Sequence, residues 1–90
     1  MHMLVEYDPA KAASNLKKHG VSLADAADVL LDPLAITIED TSSLDEQRLV
    51  TIGLGSAGEI LVVVYTEREE RYRIISARRA TSHERRTYET

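Results

Sequence analysis

The sequence contains no cysteine, tryptophan or phenylalanine, only two prolines and four glycines, and no long apolar run. Without cysteine there is no disulfide framework and no thiolate metal site. The longest continuous apolar stretch, residues 60–65, falls far short of the roughly 20 residues that span a bilayer, so no membrane segment is expected. No charged-then-apolar signal segment opens the chain, which makes a cytoplasmic protein the expectation. Histidines do not pair at metal-ligand spacing and the carboxylates are scattered, so neither a metal nor a cofactor is expected. Ninety residues make one domain, residues 1–90, with a single modest core.

What is present is an uneven charge. The formal net charge is −4, yet seven of the eight arginines lie after Tyr65, and all three lysines lie before Gly20. From Tyr65 onward there are seven basic against five acidic residues, and before it four basic against ten acidic. A cationic working surface on an acidic body is the natural reading.

The order of elements is legible from the punctuation. Asp8-Pro9 reads as an N-cap followed by proline at the first helical position. Ala12, Ala13 and Leu16 recur at helical spacing with Lys11, Asn15 and Lys18 outward, and Gly20 closes the helix. Ser22 opens a second helix with Leu23, Ala26, Ala27 and Leu30 inward, ending at Asp32-Pro33. The period then changes from 3.6 to 2. Leu4, Val5 and Tyr7 suggest a short first strand or extended arm, and further strands are expected from Leu34 to Ile38, over residues 48–54, 60–66 and 71–77. They are separated by a polar loop at 40–46, a glycine-bounded turn at 55–58 and the turn "EREE" at 67–70. Thr81 and Glu84 form a capping box for a last helix over 82–89. The expected fold class is therefore α+β: two N-terminal helices packed on one face of an antiparallel β-sheet meander, and a short C-terminal helix.

The stretch "RYRIISARR" carries the functional signal. By strict alternation Tyr72, Ile74, Ser76 and Arg78 share one face, and Arg71, Arg73, Ile75, Ala77 and Arg79 the other, so neither face is cleanly apolar. Edge strands do carry charges that prevent aggregation, but lysine would serve equally there. Planar guanidinium groups match phosphate oxygens and stack on bases, and Tyr65, Tyr72 and Tyr88 are interleaved with them as base-stacking candidates. With no basic recognition helix, RNA is the better partner than duplex DNA.

The ordered motifs "YDPAKAASNLKKHGVSLADAADVLLDP", "DEQR", "LVVVYTERE", "YRIISARRAT" and "ERRTYE" resemble the BrnT toxins from about Tyr7 to Glu89. The resemblance implies a RelE-like fold and a ribonuclease toxin of a type II toxin–antitoxin pair that inhibits translation and growth. It also implies a cognate BrnA-like antitoxin in a 2:2 heterotetramer, with operator DNA bound only through that antitoxin. By motif, the positions implied are Arg48, Tyr65, Arg68 and Arg78 for catalysis, with Ser76, Arg79, Lys18 and His19 for substrate binding. Arginine is not a base at neutral pH, so its part is stabilising charge on the phosphorane. Arg48, Arg68 and Arg78 are expected to clamp the phosphate, and Tyr65 to position the nucleophile or stack a base. Glu46, His19 and His83 are the available bases, none singled out. Two other readings compete: a non-catalytic module whose arginines pair with an acidic partner, and a DNA-binding co-repressor, which the acidic body disfavours.

Overall fold

The computed structural model of the chain describes residues 4–40 and 47–90. The elements are β1 (Leu4–Glu6), α1 (Pro9–His19), α2 (Leu23–Ala27) running into a 3-10 turn (Asp28–Leu31), β2 (Ile36–Asp40), β3 (Arg48–Leu54), β4 (Ile60–Arg68), β5 (Arg71–Arg79) and α3 (Ser82–Glu89). No helix among the described residues is long and apolar enough to cross a membrane.

Helix α1 begins where the Asp8 carboxylate accepts from the Ala10 N–H at 2.8 Å, with Pro9 in the first turn. It ends at Gly20, whose φ of 70° lets its N–H reach the Leu16 carbonyl at 2.8 Å. That left-handed cap is cheap for glycine because no Cβ meets the carbonyl. The second helix is shorter than its apolar spacing predicts. After Ala27 the chain tightens to 3-10 geometry, and Asp32 then folds back, its carboxylate accepting from the Leu34 N–H at 2.9 Å.

The buried face of α1 also differs from expectation. Leu16 is exposed and Asn15 is buried. The Asn15 amide donates to the carbonyls of Val21 (3.0 Å) and Ala77 (2.9 Å), and its oxygen accepts from the Ala77 N–H at 3.1 Å. Strand β1 covers only Arg71 to Arg73 of β5. Further along, the peptide groups of Ala77 turn to this side chain in place of a neighbouring strand. Three bonds to backbone outweigh the burial of one more leucine, because unpaired buried peptide groups cost more than an exposed apolar side chain.

The sheet order is β1-β5-β4-β3-β2. Strands β2 to β5 form the expected antiparallel meander, but β1 joins β5 in parallel, so the sheet is mixed. One face packs Leu61, Val63, Tyr65, Ile74 and Ala77 against Val21, Leu23, Ala26 and Val29. Thr51 is buried on the same side and joins Thr37 and Tyr65 through hydroxyl contacts of 2.8 Å each.

A β-bulge between the pairs Val64↔Ser76 and Tyr65↔Ile74 leaves Ile75 as an extra residue. It resolves the mixed faces that strict alternation assigns to β5. Tyr72, Ile74 and Ala77 now face the core together, while Arg71, Arg73, Ser76 and Arg78 share the opposite face. Strand β4 also runs two residues further than expected. Its hairpin closes on Glu69 and Glu70, both left-handed at φ 50° and 66°, so the turn is the two-residue type usually built from Asn-Gly.

Candidate functional site

On the face opposite the core, strand pairing lines up one residue from each strand: Glu6, Arg73, Thr66, Arg48 and Asp40, in that spatial order. Directly paired residues point to the same side of a sheet, so this is one transverse row. Arg73 and Arg48 stand two strands apart, roughly 10 Å, on either side of Thr66. The next row along pairs Arg68 with Arg71. Four guanidinium groups from three adjacent strands thus meet at one end of the sheet.

They line an open hollow of about 730 Å³, joined by Lys11 from α1. Three carboxylates, Glu6, Glu67 and Glu69, share the lining with these five cations. Glu6 is set between two arginines, 3.7 Å from the Arg71 guanidinium and 3.5 Å from that of Arg73. An anion of phosphodiester size placed here would meet several guanidinium donors at once.

The residues expected from the motifs are spread over several places. Arg48 and Arg68 belong to the hollow. Arg78 does not. It pairs with Val62 rather than Thr66, about 13 Å further along the strand, and binds Glu84 in a two-point ion pair at 2.8 and 2.9 Å. That contact, with help from the Thr81 backbone, holds the Glu84 carboxyl down at about 2 and raises the Arg78 guanidinium. Arg78 thereby fastens α3 to the sheet. Of the arginines expected to clamp the phosphate, Arg48 and Arg68 line the hollow together with Arg71 and Arg73, and Arg78 stands apart from them.

Ser76 shares the arginine face but lies past the bulge, opposite Val64. Arg79 turns to the helical side, donating to Glu59 at 2.6 Å and to the His19 carbonyl at 3.1 Å. Lys18 and His19 belong to that side too, in the last turn of α1. None of these four lines the hollow. Glu46 lies outside the described residues, as does most of the loop expected at 40–46.

Tyr65 lies away from the hollow. Alternation along β4 sends Thr66 and Arg68 to the hollow and Tyr65 into the core. There it is 4 % exposed, bonded to Thr51, and in edge-to-face contact with Tyr72 at 5.1 Å between ring centres. Tyr72 is packed against the same core, and burial, then the charge of Glu67, raises its phenol. The Tyr88 hydroxyl donates to Asp32 at 2.6 Å, lowering that carboxyl and raising the phenol. The three tyrosines are thus engaged within the fold.

Arg71, Arg73, Glu6 and Lys11 also line the hollow and are not among the positions that the motifs imply. Alternation had put Arg71 and Arg73 on a common face, and an i, i+2 arginine pair on a strand was signal enough to group them. Nothing local marks Glu6, which reaches the site only because β1 docks in parallel beside β5.

A family model described as ribonuclease toxin, BrnT, of type II toxin–antitoxin system matches residues 7–84. Among solved structures, the 1.1 Å crystal structure of the Brucella abortus ribonuclease toxin BrnT is similar, with a TM-score of 0.67 and 26 % sequence identity. The match covers 89 % of this chain and 99 % of that one. No curated protein matches by sequence.

Proposed function

The chain belongs to the BrnT family of ribonuclease toxins of type II toxin–antitoxin systems, and from that premise we propose that it cleaves RNA within the chain at the arginine-lined hollow, without a metal ion. The observation that carries this reading is the transverse row: Arg48 and Arg73 flank Thr66, with Arg68 and Arg71 one row beyond. A phosphodiester lying across the row would meet guanidinium donors on both sides. As the 2′-oxygen attacks, the phosphorane gains negative charge, and fixed cations already in place stabilise it with little reorganisation. Loss of one such donor costs on the order of 10²–10³ in rate.

Cleavage of messenger RNA would halt translation and growth in the cytoplasm. A cognate BrnA-like antitoxin, in a 2:2 complex, would neutralise the toxin by laying an acidic segment over the hollow. Operator DNA would be contacted through the antitoxin alone.

Binding of labelled single-stranded RNA across a salt series tests the site. Four arginine contacts give a slope of log affinity on log salt of about −3, at roughly −0.7 per contact. Arg73→Ala should flatten that slope by one contact and relieve growth arrest, whereas Arg78→Ala and Arg79→Ala should leave it unchanged. Cleavage should persist in excess EDTA. A flat salt dependence together with intact RNA would favour the non-catalytic module that pairs its arginines with an acidic protein.

A further inference from the structure

We propose that Glu6 is the general base that accepts the proton of the RNA 2′-hydroxyl, an assignment that rests on the ribonuclease reading above. The arginines of the hollow are permanent cations and cannot take a proton. His19 lies on the helical side and His83 on α3, and neither lines the hollow. Among the described residues, the candidates that remain are the carboxylates of the lining. Glu67 pairs with Tyr72 on the core-facing side of the β4–β5 ladder, and Glu69 sits in the exposed turn in a left-handed conformation. Among the described residues, Glu6 is the carboxylate of the lining that strand register places in one row with Arg73, Thr66 and Arg48; Asp40 ends the same row beyond Arg48 and does not line the hollow.

Its position suits the task. Arg71 and Arg73 hold its two oxygens from β5, while its side chain remains 39 % exposed and so within reach of substrate. Lys11 on α1 faces the same space, and Arg48 and Arg68 stand across it with the carboxylates of Glu67 and Glu69. A phosphodiester bound by Arg71 and Arg73 would lie directly beside the Glu6 carboxylate.

The step balances. The 2′-oxygen forms a bond to phosphorus as its proton passes to the Glu6 carboxylate, and the bond from phosphorus to the 5′-oxygen breaks. That oxygen leaves with a proton from solvent water. The products are a 2′,3′-cyclic phosphate and a 5′-hydroxyl end.

The experiment compares wild type, Glu6→Gln and Glu6→Asp on one 5′-labelled messenger RNA fragment, free and on ribosomes, across the acid-to-neutral range. Equal melting temperatures establish that the variants are folded. Glu6→Gln should cleave 10²–10⁴-fold more slowly, the usual worth of a positioned general base. It should bind RNA as tightly as wild type or tighter, and lose the acidic limb of the kcat/KM profile. Glu6→Asp should recover part of the rate and the limb with it. Cleavage by Glu6→Gln within about threefold of wild type overturns the assignment, being far below what a general base supplies. So does a slow variant that keeps the acidic limb, or one that binds RNA more weakly with a flatter salt slope, since Glu6 would then only hold Arg71 and Arg73 in place. Failure of the ribonuclease reading looks different: wild type itself leaves the RNA intact, and the assignment falls with it.

Discussion

Tyr65→Phe separates a core role from a catalytic one. The substitution removes a single hydroxyl from a buried position where it meets Thr51 at 2.8 Å. Thr51 retains its contact with Thr37, also at 2.8 Å, so no buried group is stranded. The loss should therefore be one ordinary internal hydrogen bond, about 0.5–1.5 kcal/mol. In a domain of this size 1 kcal/mol corresponds to roughly 4–8 °C in melting temperature. Thr51→Val is the harsher change, because it leaves the Tyr65 hydroxyl, 4 % exposed as a residue, without its partner, at about 1–3 kcal/mol. The double variant should be no less stable than Thr51→Val alone, a non-additivity expected of groups sharing one bond. Thermal melts followed by circular dichroism read all three, and RNA cleavage by Tyr65→Phe should stay near the wild-type rate. A hundredfold fall in kcat for Tyr65→Phe with an unchanged melting temperature would refute the reasoning, and Tyr65 would have to reach the substrate.

The ion pair under α3 predicts a pH dependence. Because the Glu84 carboxyl is depressed to about 2 in the fold, its contribution is full above the ordinary carboxylate range and disappears as the pH falls toward 2. The shift alone corresponds to about 3 kcal/mol, and solvent screening at the half-exposed Arg78 reduces this to about 1–2 kcal/mol; urea titrations of wild type and Glu84→Gln should differ by that much at neutral pH and converge near the acid limit. At the β4–β5 hairpin, Glu70→Gly should raise stability by about 0.5–1 kcal/mol by relieving a left-handed glutamate, provided the turn keeps its shape, and a lower urea midpoint would count against it. Gly55→Ala should lose about 1–3 kcal/mol, since the new methyl would stand 2.7 Å from Leu61 Cδ1 and 3.2 Å from the Asp25 carbonyl; an unchanged midpoint would mean that the core yields there.

Much of the architecture was readable because its signals are local. The Asp8-Pro9 and Gly20 caps, the capping box of Thr81 and Glu84, and the change of period after Pro33 depend on neighbours within a few residues. Chain order therefore predicts α1, the four-stranded meander and α3. Local pattern also concentrates the arginines on the last two strands and carries the family resemblance. It could not show that Asn15 rather than Leu16 turns inward, because the reason is the unpaired backbone of Ala77, 62 residues away along the chain. Nor could motif spacing separate Arg78 from Arg48, since both precede or follow plausible phosphate-binding stretches.

The sequence by itself determined the element order, the cationic character of the last two strands and the absence of thiol chemistry. Tertiary structure alone decided which cations meet. One extra residue at the β5 bulge turns Ile74 and Ala77 to the same face, and with them sets the sides on which Arg73 and Arg79 emerge. Parallel docking of β1 brings Glu6 beside Arg73 across 67 residues of chain. Side-chain direction in a sheet has period two, so a shift of one residue exchanges core for surface. That shift is selected by the packing of both faces at once.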